Sequence, residues 1–278
     1  MGTRYRDSEV RIGGRRLAYR HWPGSAPGGP LVLLHGLLDS AEGWNVTMRA
    51  CPQEAYAFDL PGFGRSDLPE HATIEALADD VLAAIRVLGL RRFRLIGHSM
   101  GGATAALIAA RAPAAIDDLT LIAPAGFGPL PLAAIADRSV GQLATNLAPL
   151  VLSSKRLTAM IYALAVANGC RPDPQLAERL RARATRCLPG LKMGVRAVAR
   201  ISSDGGRLRE LEHDYQGPVY ALWGRRDQLV PASHADGVLE AFPQAEVHVW
   251  ERVGHHPQHE RPQLAASLLL EPLAAAAA

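Results

Sequence analysis

The six residues Gly97-His98-Ser99-Met100-Gly101-Gly102 carry the clearest chemistry in the chain. They follow an apolar run, Phe93-Arg94-Leu95-Ile96, that reads as a strand, and precede a small-residue stretch at 103–112 that reads as a helix. A strand turning sharply into a helix strains the backbone at the bend and pushes that side chain outward. The residues two before and two after then crowd each other, so Gly97 and Gly101 suit positions where a Cβ would collide. Ser99 would stand at the C-terminal edge of a sheet, near the positive end of the following helix, where open α/β sheets bind ligands. A glycine-rich turn with an incidental serine is the plain alternative. A phosphate loop is the other, and it lacks its Gly-Lys-Ser/Thr here.

A serine hydroxyl becomes a nucleophile when a base takes its proton in the transition state, and the base needs an anion to fix its tautomer. Histidines crowd Gly254-His255-His256-Pro257-Gln258-His259-Glu260, so His255, His256 and His259 are all candidate bases. Their spacing also invites a metal, but no thiolates or evident carboxylate set accompany them. His98, beside the serine, suits packing or hydrogen bonding at the bend. Asp227, in Arg225-Arg226-Asp227-Gln228, follows the apolar run Val219-Tyr220-Ala221-Leu222 and is the candidate anion. A surface salt bridge with Arg225 or Arg226 is its bland alternative. The loop after the 119–122 run, Pro124-Ala125-Gly126-Phe127, offers no carboxylate.

The elements that must position these residues alternate. Segments 4–12 and 15–21 read as a hairpin about Gly13-Gly14. The continuous apolar runs at 31–34, 55–58, 93–96, 119–122, 219–222 and 247–250 read as strands buried on both faces. Helical patterns lie between them at 73–88, 103–112 and 232–241. Strand–helix alternation predicts an α/β fold, a mostly parallel, doubly wound sheet. Residues 128–211 break the alternation with helical patterns alone, far longer than a normal connection. They are expected to form a helical cap inserted after the sixth core strand, with 1–127 and 212–278 as the core domain.

Three features together resemble the α/β-hydrolase superfamily: Leu34-His35-Gly36, Asp59-Leu60-Pro61-Gly62-Phe63-Gly64-Arg65-Ser66-Asp67, and Gly97 to Gly102. The resemblance covers the chain outside the cap. It implies the order serine, acid, histidine: Ser99 as nucleophile, Asp227 as the acid after its strand, and His255, directly after Gly254, as the base. His256 or His259 as base stays open. The resemblance also implies backbone N–H donors for the oxyanion at Met100 and Leu37. His35 reads as a hydrogen-bonder of its loop, and Asp59 and Asp67 as loop architecture. His35, Gly36 and His98, with Met160 and Leu164 of the cap, are the residues expected nearest the substrate.

With serine at position 99 the dehalogenase and epoxide-hydrolase branches are disfavoured, since their chemistry needs a carboxylate there. The expected reaction is hydrolysis of a carboxylic ester, or thioester, of a small to medium apolar acyl group through an acyl-enzyme. C–C hydrolysis of ring-cleavage diketones is the runner-up. Ser99-Met100-Gly101-Gly102 and the run Pro124 to Pro129 resemble that branch. His98, His256, His259 and the loop His35-Gly36-Leu37-Leu38-Asp39 depart from it. Cofactor-free perhydrolysis, acyl transfer and a ligand-binding role without turnover also remain.

Composition bounds the rest. At 278 residues, 48% hydrophobic and 21% charged, the chain is an ordinary globular one. About 75% of its unfolded surface can be buried at this size, with no staple required. A net charge of +3 without a dense basic block makes nucleic acid a weak partner. Nine arginines and Lys192 between 171 and 209 read as a solvated helical face, with an acidic ligand as the sharper alternative. Three scattered cysteines suggest no disulfide framework and a reduced, cytoplasmic setting. The start of the chain has no apolar leader, the terminal alanines read as frayed tail, and prolines interrupt the longest uncharged stretch, so no membrane span is expected. No cofactor or metal is expected; the partner is a small ester-type molecule, with a homodimer possible.

Overall fold

The computed structural model describes residues 5–130, 154, 156, 178, 181–182, 188–202 and 206–270. Strands β1 (Arg6–Ile12) and β2 (Arg15–Trp22) form the expected hairpin, with Gly13 and Gly14 at positive φ in its turn. They are followed by β3 (Leu31–Leu34), β4 (Ala55–Phe58), β5 (Phe93–His98), β6 (Ile116–Ile122), β7 (Val219–Gly224) and β8 (Glu246–Trp250). All eight make one sheet in the order β1-β2-β4-β3-β5-β6-β7-β8. The pairings of β2 with β1 and β4 are antiparallel; every other pairing is parallel.

The helices are α1 (Asn45–Met48), α2 (Ile74–Val87), α3 (Met100–Arg111), α4 (Leu188–Ile201), α5 (Ala235–Ala241), α6 (Pro257–Glu260) and α7 (Pro262–Leu270). The Thr73 side chain caps α2 by accepting the Ala76 N–H at 3.1 Å. The continuous apolar runs pack on both faces because successive strand residues point opposite ways. Val32 and Leu34 join a core with residues of α2 and α3, whereas Leu31 and Leu33 join a second with Trp44, Met48 and Leu269. The sheet is therefore covered on both sides, as an α/β fold requires.

Two boundaries differ from those that hydropathy suggests. Strand β6 starts at Ile116, ahead of the apolar run at 119–122. Asp117 and Asp118 sit inside it because Arg92 and Arg94 neutralise them from the neighbouring strand's end. Helix α3 starts at Met100, through two glycines, because the Ser99 carbonyl accepts the N–H groups of Gly102 and Ala103. Helices α1, α6 and α7 had no counterpart in the sequence reading.

The chain leaves the core after β6 and returns beside its point of exit. The Leu208 N–H donates to the Gly126 carbonyl at 2.9 Å, and a Cβ on Gly206 would lie 2.3 Å from the Gly128 nitrogen. Helix α4 lies between β6 and β7 in the chain and rests on the core. A Cβ on Gly190 would lie 1.7 Å from the Gly62 carbonyl oxygen, and one on Gly194 2.6 Å from Leu37 Cδ1. Met160 and Leu164, expected near the substrate, lie outside the described residues. Among the described residues no helix is long and apolar enough to cross a membrane.

Candidate active site

Ser99 is the residue at the bend between β5 and α3, with φ +54° and ψ −115°. The packing around it explains the glycines. A Cβ on Gly97 would meet the Gly101 carbonyl oxygen at 2.2 Å, and one on Gly101 would meet the Leu34 carbonyl oxygen at 2.4 Å. The turn is thus pressed against the end of β3, which brings the loop 35–40 beside the serine. A Cβ on Gly36 would stand 3.1 Å from Ser99 Cβ. Leu37, the next residue, and Met100, the first of α3, lie on the two backbones that flank Ser99.

The loop after β3 is held by buried polar groups. The Leu60 N–H donates to His35 Nε2 at 2.9 Å, and His35 Nδ1–H donates to the Gly36 carbonyl at 2.8 Å. Both ring nitrogens are thereby committed to main chain, so His35 works as loop architecture. Asp59 accepts the Ala41 N–H at 2.8 Å and the Arg65 N–H at 3.0 Å. Asp67 accepts the Arg16 N–H at 2.7 Å. Both aspartates therefore do the structural work expected of them.

Asp227 lies after β7 and His255 after β8, on adjacent strands of the sheet. Asp227 Oδ1 accepts the N–H groups of Leu229 and Val230, each at 2.9 Å, and Oδ2 accepts His255 Nδ1–H at 2.7 Å. Both side chains are buried. A carboxylate fixed by two amides orients the imidazole and leaves Nε2 as its basic nitrogen. The Asp227 side chain is fully buried rather than at the surface, and Arg225 pairs with Glu251.

His98, His256 and His259 form a buried cluster beside His255. His98 Nε2–H donates to the His255 carbonyl at 2.8 Å. The rings of His98 and His256 lie 4.8 Å apart, and those of His256 and His259 5.5 Å apart. His259 Nε2 faces Asp39 Oδ2 at 3.3 Å. Burial pushes the imidazoles of His98 and His256 well below their usual value, helped by the neighbouring rings. Among the described residues, no group of three or more His, Cys, Asp or Glu side chains could hold a metal ion.

Two contributors, Glu260 and Asp39, escaped the sequence reading. The Glu260 carboxylate accepts the N–H groups of Gly254, at 2.9 and 3.0 Å, and of His256, at 3.2 Å, and so clamps the main chain either side of His255. Asp39 anchors the loop after β3 to the histidine segment. Leu191, Met193 and Gly194 of α4 pack against Leu37, Phe63 and the Met100 side chain. The signal for Glu260 was a carboxylate close behind a histidine in a Pro-initiated turn.

A family model described as the alpha/beta hydrolase family matches residues 31–268. The chain belongs to that family. The dihydrolipoyllysine-residue acetyltransferase component of the acetoin cleaving system of Pseudomonas putida is 31% identical, over 91% of this chain and 65% of its own length. The chain thus spans slightly less than two thirds of that relative. A 2-hydroxy-6-oxononadienedioate/2-hydroxy-6-oxononatrienedioate hydrolase of Paraburkholderia phymatum is 28% identical, over 94% of this chain and 93% of its own. Among solved structures, a membrane phospholipase A described as a bacterial virulence factor superposes with a TM-score of 0.77 at 25% identity, over 98% of this chain and 87% of that one.

Proposed function

We propose that this hydrolase cleaves carboxylic esters or thioesters of small to medium apolar acyl groups through an acyl-enzyme on Ser99. The observation that carries the reading is the joint placement of a strained Ser99 and a buried His255–Asp227 pair at 2.7 Å, at the same sheet edge. His255 Nε2 takes the Ser99 proton as Oγ attacks the acyl carbonyl, and Asp227 stabilises the imidazolium. The N–H groups of Leu37 and Met100 receive the oxyanion. His255 returns its proton to the leaving alcohol, and water deacylates Ser99 by the same path in reverse.

The apolar contacts of α4 over Leu37 and Met100 favour an apolar acyl group, with the 128–211 insertion acting as a cap. The phospholipase-named structural neighbour points the same way. The Paraburkholderia relative, which matches nearly end to end, keeps C–C hydrolysis of a dienoate as a second reading.

The test is turnover by wild type and Ser99→Ala on p-nitrophenyl esters from acetate to laurate, with a ring-cleavage dienoate in the same panel. Ester turnover lost in the variant supports the reading. Dienoate cleavage far faster than any ester transfers it to the second, and silence on every substrate by folded protein refutes both.

A further inference from the structure

The segment 254–260 that bears His255 has little regular structure of its own, only the four residues of α6. Its place depends on ties from elsewhere. Glu260 takes two of its N–H groups, and Thr47 Oγ1–H donates to the Gln258 carbonyl at 3.0 Å. The bond from His98 Nε2–H to the His255 carbonyl differs in kind. His98 is the covalent neighbour of Ser99, so this one bond runs from the nucleophile's own backbone to that of the base.

We infer that His98 is a positioning residue, a strut that sets the separation of Ser99 and His255. The inference rests on the reading of those two residues as nucleophile and base. The ring has the chemistry for the task. It is 1% exposed and kept neutral by burial, so it carries a single N–H. That proton lies on Nε2, because Nε2 faces a carbonyl oxygen. Among the described residues Nδ1 has no hydrogen-bond partner, and it faces Gly36: a Cβ there would lie 2.8 Å from it. The imidazole is therefore wedged between the loop that carries Leu37 and the segment that carries His255. His255 and His256 face it with ring centroids at 4.9 and 4.8 Å, and Asp39 and His259 act on it electrostatically from farther out.

A glutamine amide reaches about as far as Nε2, whereas an asparagine amide reaches only as far as Nδ1. The test compares wild type, His98→Gln, His98→Asn and His98→Leu. One readout is kcat and KM on p-nitrophenyl butyrate. The other is the low-field proton NMR signal of the His255–Asp227 hydrogen bond, which needs no turnover. His98→Leu is expected to lower kcat about 10- to 100-fold, with KM within about threefold, and to broaden the signal. His98→Gln should recover kcat to within about fivefold of wild type and sharpen the signal, while His98→Asn stays with leucine. The strut is overturned if His98→Leu matches wild type in both readouts. It is equally overturned if glutamine and leucine are impaired alike with the same fall in Tm, a merely structural effect. A wild type that turns over no ester, yet shows the expected NMR series, refutes the hydrolytic reading and leaves the strut standing.

Discussion

Ser99 keeps its unfavourable backbone because the groups around it leave no alternative. Its N–H donates to the Ile122 carbonyl, and its carbonyl accepts the N–H groups of Gly102, Ala103 and Ala125. A non-glycine residue in this region costs about 1–3 kcal/mol, supplied by those bonds and by close packing. The strain belongs to the backbone, so Ser99→Ala should fold normally. Steady-state kinetics should show kcat lowered by about 10⁶ for Ser99→Ala or His255→Ala, and by about 10⁴ for Asp227→Ala. A comparable loss in His256→Ala with His255→Ala nearly intact would reassign the base. The sequence could name Ser99 and Asp227 from their local strings, since each stands alone in a loop of fitting context. It could not separate His255 from His256 and His259 without the resemblance, because adjacent histidines share one hydropathy and one spacing. The 2.7 Å contact of His255 Nδ1 with Asp227 is what supports His255 in the proposed reading, through an orientation no string encodes.

At the scale of elements, the loop after β3 and helix α4 pack beside the serine turn, and the proposed function makes them the parts that shape acyl selection. Gly36→Ala would drive a methyl group to 2.8 Å from His98 Nδ1 and 3.1 Å from Ser99 Cβ, displacing the Leu37 amide. Loss of one oxyanion donor costs about 10²- to 10³-fold in kcat, and that loss, with KM nearly unchanged, is what kinetics on a short ester should show. Gly190→Ala should lift α4 from the Gly62 carbonyl, which leaves no room for a Cβ. The acyl-length profile should then flatten by about tenfold between butyrate and octanoate esters, while acetate turnover changes little. Strands β3 to β7 were legible because they are apolar on both faces, whereas β8 is only half-buried and β1 is largely exposed. The start of β6 was hidden by Asp117 and Asp118, whose burial depends on arginines 24 to 25 residues earlier. Helix α6 was hidden because its four residues are fixed by the side chains of Glu260 and Thr47 rather than by helical propensity.

At the scale of the whole molecule, buried neutral histidines tie stability to pH. Burial lowers His98, His256 and His234 from the ordinary imidazole value of about 6.5. The unfolded chain takes up protons below that pH while the folded chain does not, so the unfolded state binds more protons and stability falls as pH drops. The loss begins near pH 6.5 and ends only below the folded values. Each such histidine contributes up to about 1.4 kcal/mol per pH unit. Urea unfolding at pH 7.5, 6.0 and 5.0 should show this slope, and His256→Phe should reduce it; an unchanged slope would mean that His256 takes up a proton equally in the folded and unfolded states. The sequence announced a histidine-rich segment, yet no periodicity shows that residues 98 and 256 stack in one dry layer across the ends of β5 and β8. That proximity is a product of the sheet order.

The measurement that tests the central claim most directly is the mass of the enzyme during turnover. A p-nitrophenyl ester mixed with wild type, quenched in acid within milliseconds and digested, should leave one acyl mass on the peptide that contains Ser99. The same experiment on Ser99→Ala should leave none, and His255→Ala should form the adduct far more slowly. Turnover of the ester with no acyl mass at Ser99, or with the mass on another residue, would contradict the account.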